Sequence, residues 1–357
     1  MTFIDPRGKA LRHLDRLAGW HRGEQPAPVT LEWDLSNRCP YGCTGCHFAY
    51  THTRGPLTRT ARVLPMAHDR AGDLADTTLV LRVLEEAAAA GVRSVVWTGG
   101  GEPTTHPDFA EIVEHAAGCG LQQGLYTLGA LMGWDALEAV RTRCAWVVVS
   151  LDHADAITYA DEKRTVPDNF AKAIAAVSHL GRGPVTVGVS FLLHARNYTQ
   201  AATKMLPLAR SLGAAYTTFR PLVETSPAFP GALAGDRRWV REAELLWPAL
   251  AAEPDVEVDP ARFREWATWQ GHGYQTCYGI RLNATITPDG RLWVCPNRRE
   301  FAGSCVGDLR TESFAAVWAR HPGHWTVDAS CRAMCRLHPI NETLAAVEAP
   351  RPHEAFI

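Results

Sequence analysis

The chain has 357 residues, a hydrophobic fraction of 46% and a formal charge of -2 from nearly balanced acids and bases. This length and apolar content suffice for one large domain plus a small one, and the absence of a Lys/Arg run interleaved with aromatics argues against a nucleic-acid surface. No apolar stretch approaches the roughly 20 residues of a membrane span, and residues 1–12 lack the apolar core of a signal peptide, so a cytoplasmic protein with a small-molecule substrate is expected.

After an N-terminal extension over 1–28, a strand-like run at 29–35 leads into Cys39-Pro-Tyr-Gly-Cys43-Thr-Gly-Cys46. Thiolates at i, i+4 and i+7 can each ligate one iron of a cubane 4Fe-4S cluster and leave the fourth iron open to a small molecule. A zinc knuckle is the alternative, but it needs a fourth ligand, and His47 stands next to Cys46, badly placed to close a tetrahedron. Ten cysteines are many where disulfides are disfavoured, and clustered spacings there point to metal. The segment 48–76, with Tyr50, His52, His68 and four arginines, is either a lid that binds polar groups or an ordinary solvated loop.

Further strands are expected at 94–97, 120–126, 145–151, 185–193 and 216–221, with helices at 78–90, 107–117, 134–143, 169–180 and 198–212 between them. Repeated βα units at about 30-residue spacing imply a parallel sheet that right-handed crossovers curl toward a barrel, with ligands at the carboxyl ends of the strands. The second strand ends in Gly99-Gly100-Gly101-Glu102-Pro103, either a tight turn or a close backbone approach to a ligand, with Glu102 able to accept from an ammonium group. The fourth ends in Ser150-Leu151-Asp152, whose polar groups can bond ribose hydroxyls, and Arg164 can hold a carboxylate; Asp152 serves equally as an N-cap. The sixth ends in Phe219-Arg220-Pro221, where Arg220 points toward substrate or makes a plain salt bridge. A helix at 239–251 closes this domain, and Trp239, Trp247, Trp266 and Trp269 read as packing residues.

Beyond residue 270 the cysteines resume. Cys277 and Cys295 flank a hairpin around Pro288-Asp289-Gly290, and Cys331 and Cys335 stand one helical turn apart. Four thiolates around one site leave no open position, and iron-sulfur or zinc would both suit. Cys305 is a ligand, a hydrogen-atom donor or a small buried hydrophobe; Cys119 and Cys144 read as core residues.

The C-x3-C-x2-C loop after a first strand resembles the radical S-adenosylmethionine (SAM) superfamily, and the later C-x12-G-x4-C and C-x3-C spacings resemble its SPASM/twitch subgroup. The resemblance implies an α/β fold: a six-stranded (β/α)6 partial barrel over 29–270, a small cysteine-rich twitch-like extension over 271–345 and a tail over 346–357. It implies a 4Fe-4S cluster on Cys39, Cys43 and Cys46, SAM on its open iron, an auxiliary 4Fe-4S cluster on Cys277, Cys295, Cys331 and Cys335, and an electron donor such as flavodoxin or ferredoxin. Gly100, Gly101 and Glu102 would hold the SAM amino group, Ser150 the ribose, Arg164 the carboxylate, and Gly45 and Phe219 would meet the adenine; Gly45 replaces the family's common aromatic. The implied reaction is oxidation of a sugar, aminocyclitol or nucleoside in the biosynthesis of an antibiotic-like product. Epimerisation with Cys305 as hydrogen donor and decarboxylation with Arg220 as clamp are alternatives. A ribosomal-peptide maturase is the rival, disfavoured because about thirty residues before the first strand cannot make a leader-binding winged-helix domain.

Overall fold

The structure, a computed structural model, describes residues 6–43, 46, 74–222, 238–268, 271–299, 301, 303–328, 331, 335–349 and 352–353. Six parallel strands match the sequence expectation: β1 (Thr30–Asp34), β2 (Ser94–Thr98), β3 (Gln122–Thr127), β4 (Trp146–Ser150), β5 (Thr186–Leu193) and β6 (Tyr216–Pro221). A seventh, β7 (Val256–Val258), extends the row beside β6; three half-buried residues carry too little alternation to be read in advance. On the other edge, β9 (Asn283–Ile286) pairs in parallel with β1, followed antiparallel by β10 (Arg291–Trp293) and β11 (Cys305–Asp308). The sheet order is therefore β11-β10-β9-β1-β2-β3-β4-β5-β6-β7, open among the described residues, a partial and not a closed barrel. A separate antiparallel pair joins β8 (Thr276–Cys277) to β12 (Trp325–Thr326).

Crossover helices coat one face. The helix Thr77–Ala89 starts where Asp76 accepts from the Leu79 N–H at 2.8 Å, and it buries Leu79, Val80, Val83, Leu84 and Ala87 on one stripe. These join Leu31 and Trp33 from β1, Leu35 directly after it, and Val95 and Trp97 from β2 in one core; each such aliphatic side chain contributes about 1.5–3 kcal/mol on burial. Because strand side chains alternate, Glu32 and Asp34 face the opposite side.

Two expected helices are broken by proline, whose missing N–H interrupts the helical ladder. The stretch 198–212 is a 3-10 turn (Tyr198–Gln200), a π turn (Ala201–Met205) and an α-helix (Leu206–Ser211) with Pro207 in its first turn. The stretch 239–251 divides into Arg238–Ala243 and Trp247–Ala251, the second starting at Pro248. Helices at Ala156–Lys163, Pro260–Ala267 and His338–Glu348 were not anticipated. Trp239, Trp247 and Trp266 are core residues at 2% exposure, as expected; Trp269 lies outside the described residues.

Candidate functional site

The cysteine loop leaves the carboxyl end of β1 and is held from two sides. On one side the Gly101 N–H donates to Ser36 O and the Glu102 N–H to Arg38 O, both at 2.9 Å. This explains Gly101: a Cβ there would fall 2.2 Å from Arg38 O and 2.7 Å from Asn37 C. The glycine is needed for the approach of two backbones. On the other side the Gly42 N–H donates to Lys163 O at 3.1 Å at the end of the helix Ala156–Lys163, and Tyr41 meets Tyr159 edge-on with ring centroids 6.2 Å apart. Within the loop the Cys46 N–H donates to Cys43 O at 3.1 Å.

The thiols are sheltered. Burial pushes the Cys39 thiol up to about 12 and raises that of Cys43, an effect that the Lys163 ammonium opposes. Thiolates disfavoured in this way are compensated by positive charge, and three soft sulfurs in one short loop fit iron. Glu102 is 3% exposed and accepts from the hydroxyls of Thr127 (2.6 Å) and Thr104 (2.7 Å) and from the Leu128 N–H (2.8 Å). Burial raises its pKa and these donors oppose the rise. Its Oε2 accepts from the Leu128 N–H and keeps acceptor capacity for an ammonium group.

Ser150 stands half-buried at the end of β4, opposite Ser190 of β5. Asp152 has a left-handed backbone (φ 62°) that turns the chain out of the strand. Its carboxylate accepts from Lys163 Nζ at 2.6 Å and from the Leu192 N–H at 2.9 Å. It is not an N-cap, since Asp155 caps the next helix by accepting from the Thr158 N–H. Burial alone would lower the Lys163 pKa, but Asp152 and then Cys43 hold it above the ordinary value. Arg164, exposed and also left-handed (φ 48°), lies against Gly42 of the cysteine loop. Arg220 is half-buried at the end of β6 and shares a strand face with Thr218 and Tyr216.

Two expectations need correction. Phe219 is 2% exposed and stacks on Phe191 at 5.7 Å within the helix-side core, because the strand alternation turns it away from Arg220. Cys305 is exposed on β11, the sheet's outer edge strand, and donates to Gly307 O at 3.6 Å; among the described residues it is not part of the cavity lined by the other four cysteines. Gly45 and most of the 48–76 segment lie outside the described residues.

Cys277, Cys295, Cys331 and Cys335, separated by up to 58 positions in sequence, line a single cavity with Tyr274, Trp325 and Leu337. Burial pushes Cys277 and Cys295 up to about 12, and the nearby Cys335 adds to both. Asn297 Nδ2 donates to Cys335 Sγ at 3.0 Å and Arg298 Nη2 to Cys331 Sγ at 3.8 Å, so these sulfurs are offered the donors that thiolate ligands take. Neither Cys331 nor Cys335 is helical.

Sequence reasoning missed a buried charge group between the two regions. Arg299 (4% exposed) donates to both oxygens of Asp34 at 2.8 and 2.6 Å and to Glu32 at 2.5 Å, and Arg336 also meets Glu32. The signal available was the i, i+2 spacing of the two acids in a strand, which places both on one face.

A parallel α/β sheet that carries a three-cysteine loop at its carboxyl edge and a four-cysteine cavity beside it defines an iron-sulfur enzyme of the SAM-cleaving type. The radical SAM superfamily model matches residues 33–202. The PqqA peptide cyclase of Methylorubrum extorquens is 35% identical over 311 residues, covering 83% of this chain and 73% of its own. The AdoMet-dependent heme synthase of Methanosarcina barkeri is 29% identical, covering 82% of each chain. Among solved structures, Streptococcus suis SuiB bound to precursor peptide SuiA shares the fold with a TM-score of 0.62 at 14% identity, covering 89% of this chain and 70% of that one. The chain belongs to the radical SAM superfamily, whose members use a 4Fe-4S cluster and SAM. Among the described residues no helix is long and apolar enough to cross a membrane.

Proposed function

We propose that this protein is a radical SAM oxidoreductase that modifies a peptide, with an auxiliary 4Fe-4S cluster on Cys277, Cys295, Cys331 and Cys335. The observation that carries the reading is the relation to PqqA peptide cyclases, at 35% identity over most of both chains. It supports a peptide better than the sugar or aminocyclitol that the twitch resemblance implied. The heme synthase relation supports a second reading, a tetrapyrrole substrate.

In this reading Cys39, Cys43 and Cys46 would hold the first cluster, and Glu102 would accept from the SAM ammonium. When bound and reduced by one electron from a donor such as flavodoxin or ferredoxin, the pair of cluster and SAM would supply hydrogen-abstracting radical chemistry there. Arg164, exposed and lying against Gly42 of the cysteine loop, would meet the SAM carboxylate. Ser150 offers its hydroxyl at the end of β4, and Arg220 at the end of β6 is available to a substrate carboxylate. The four sheltered thiols around the second cavity, with Asn297 and Arg298 as donors to their sulfurs, supply a closed ligand set.

The test is anaerobic reconstitution followed by product analysis. About eight irons per chain are expected, falling to about four in Cys277→Ala/Cys295→Ala. SAM cleavage should be stimulated by short peptides encoded beside the gene, with loss of two hydrogens from the peptide by mass spectrometry. Stimulation by sugars or aminocyclitols and by no peptide would overturn the reading, and stimulation by a porphyrin would select the second one.

A further inference from the structure

A third group of ligand-type side chains lies at the carboxyl ends of β4 and β5, used by neither cysteine site. His153 follows β4, His194 follows β5, and Glu162 is in the last turn of the helix Ala156–Lys163. The Nε2 atoms of His153 and His194 stand 3.1 and 3.0 Å from the same Glu162 Oε2. One ligand atom from each residue lies within 4.8 Å of the other two. Both imidazole side chains are 2% exposed and the Glu162 side chain 11%.

Two accounts of this group compete. In the first, a buried carboxylate accepts an N–H from each imidazole. That account covers His153 Nε2, and against burial, which raises it, the two imidazoles hold the Glu162 carboxyl below its ordinary value. It leaves out His194 Nε2, which lies 3.0 Å from the same oxygen without hydrogen-bond alignment, and the buried His153 Nδ1, which has no partner among the described residues. A buried polar atom left unpaired costs about 1–3 kcal/mol. In the second account the three atoms are ligands of one ion. Metal–nitrogen bonds of 2.0–2.1 Å in a tetrahedron place ligand atoms about 3.3 Å apart, close to the two separations seen. Such atoms converge on a common point and do not aim at one another, which is why a 3.0 Å contact need not be a hydrogen bond. Two imidazoles and a carboxylate are also a donor set that suits divalent zinc, cobalt or iron. One contact must yield: the Arg196 N–H, 3.3 Å from His194 Nδ1, faces the nitrogen that carries the proton once Nε2 is metal-bound.

We propose that His153, Glu162 and His194 form a binding site for a divalent transition-metal ion, distinct from both cysteine sites. The ion would tie the ends of β4 and β5 to the last turn of the helix Ala156–Lys163. Lys163 O of that turn holds Gly42 of the cysteine loop, so the ion's place is structural, behind the loop.

The test is a cobalt(II) titration of the full-length protein with its iron-sulfur clusters reconstituted. One cobalt per chain should bind with visible bands of nitrogen/oxygen coordination and no thiolate charge-transfer band. X-ray absorption at the cobalt edge should show nitrogen or oxygen at about 2.0–2.1 Å with imidazole scattering. Glu162→Gln and His194→Phe should each weaken binding at least about tenfold with iron content unchanged. The proposal is overturned if the wild-type protein retains no cobalt, if the absorption edge shows sulfur at about 2.3 Å, or if Glu162→Gln binds as tightly as wild type. The wild-type measurements decide even if a variant fails to fold.

Discussion

Gly101→Ala probes the join between the glycine turn and the cysteine loop. The new Cβ would lie 2.2 Å from Arg38 O, and its nearest neighbours are all main-chain atoms, which cannot rotate away as a side-chain tip would. Restoring a 3.0 Å separation, about the closest that real Cβ atoms make, requires a backbone shift of about 0.8 Å in the residue directly before Cys39. Metal–ligand distances hold to about 0.2 Å, so the ligand loop would be moved out of its cluster geometry. The shift also strains the hydrogen bonds from Gly101 N–H to Ser36 O and from Glu102 N–H to Arg38 O, together about 2 kcal/mol at roughly 1 kcal/mol each. The expected phenotype is a folded protein, destabilised by about 2 kcal/mol, that retains the auxiliary iron and loses most of the other. Iron and sulfide content, visible absorption and urea denaturation measure this. Gly118→Ala is the control, since nothing lies within 4 Å of its Cβ and the change in a helix is neutral or stabilising by up to about 1 kcal/mol. A Gly101→Ala protein with full iron content and wild-type stability would refute the reasoning.

Burial holds His321 neutral and lowers its pKa from 6.5 to about 4, while its contact with Val294 O opposes the shift. A depressed folded-state value means that the unfolded chain binds the proton more readily. The resulting stability is present above pH 6.5 and is lost as pH falls toward 4, about 3 kcal/mol in all. His321→Gln should flatten that part of the stability curve in denaturant titrations at successive pH values, and an unchanged slope would count against it. Arg299→Met leaves Glu32 and Asp34, each 1% exposed, without their shared guanidinium. It should cost about 3–5 kcal/mol by urea denaturation, with most of the loss recovered on adding Glu32→Gln and Asp34→Asn; a cost below about 1 kcal/mol would show that the group is not coupled as described. Cys305→Ser, at an exposed edge position, should leave iron content and SAM cleavage unchanged, and loss of either would return this cysteine to the site.

The alternation of strand and helix, the three-cysteine loop and the Gly-Gly-Glu turn were legible because each depends on spacing within a short segment. The breaks at Pro207 and Pro248 were not read from the sequence, where a continuous helix is expected at both places, although the missing N–H that causes them acts locally. The orientation of Phe219 was not legible: β6 is buried on both faces, so an apolar residue there carries no mark of which face it takes. Nor could local pattern show that Lys163 meets Asp152, or that Glu162 meets His153 and His194.

Sequence by itself pointed to the superfamily through Cys39, Cys43 and Cys46, because one loop carries all three cysteines at fixed intervals. Only the tertiary structure gathered Cys277, Cys295, Cys331 and Cys335 into one cavity, set β9 beside β1, and brought Arg299 onto Glu32 and Asp34 some 265 residues away in the chain. Those contacts depend on how the sheet orders its strands and on the need to neutralise buried charge, and neither is written in any local run of residues.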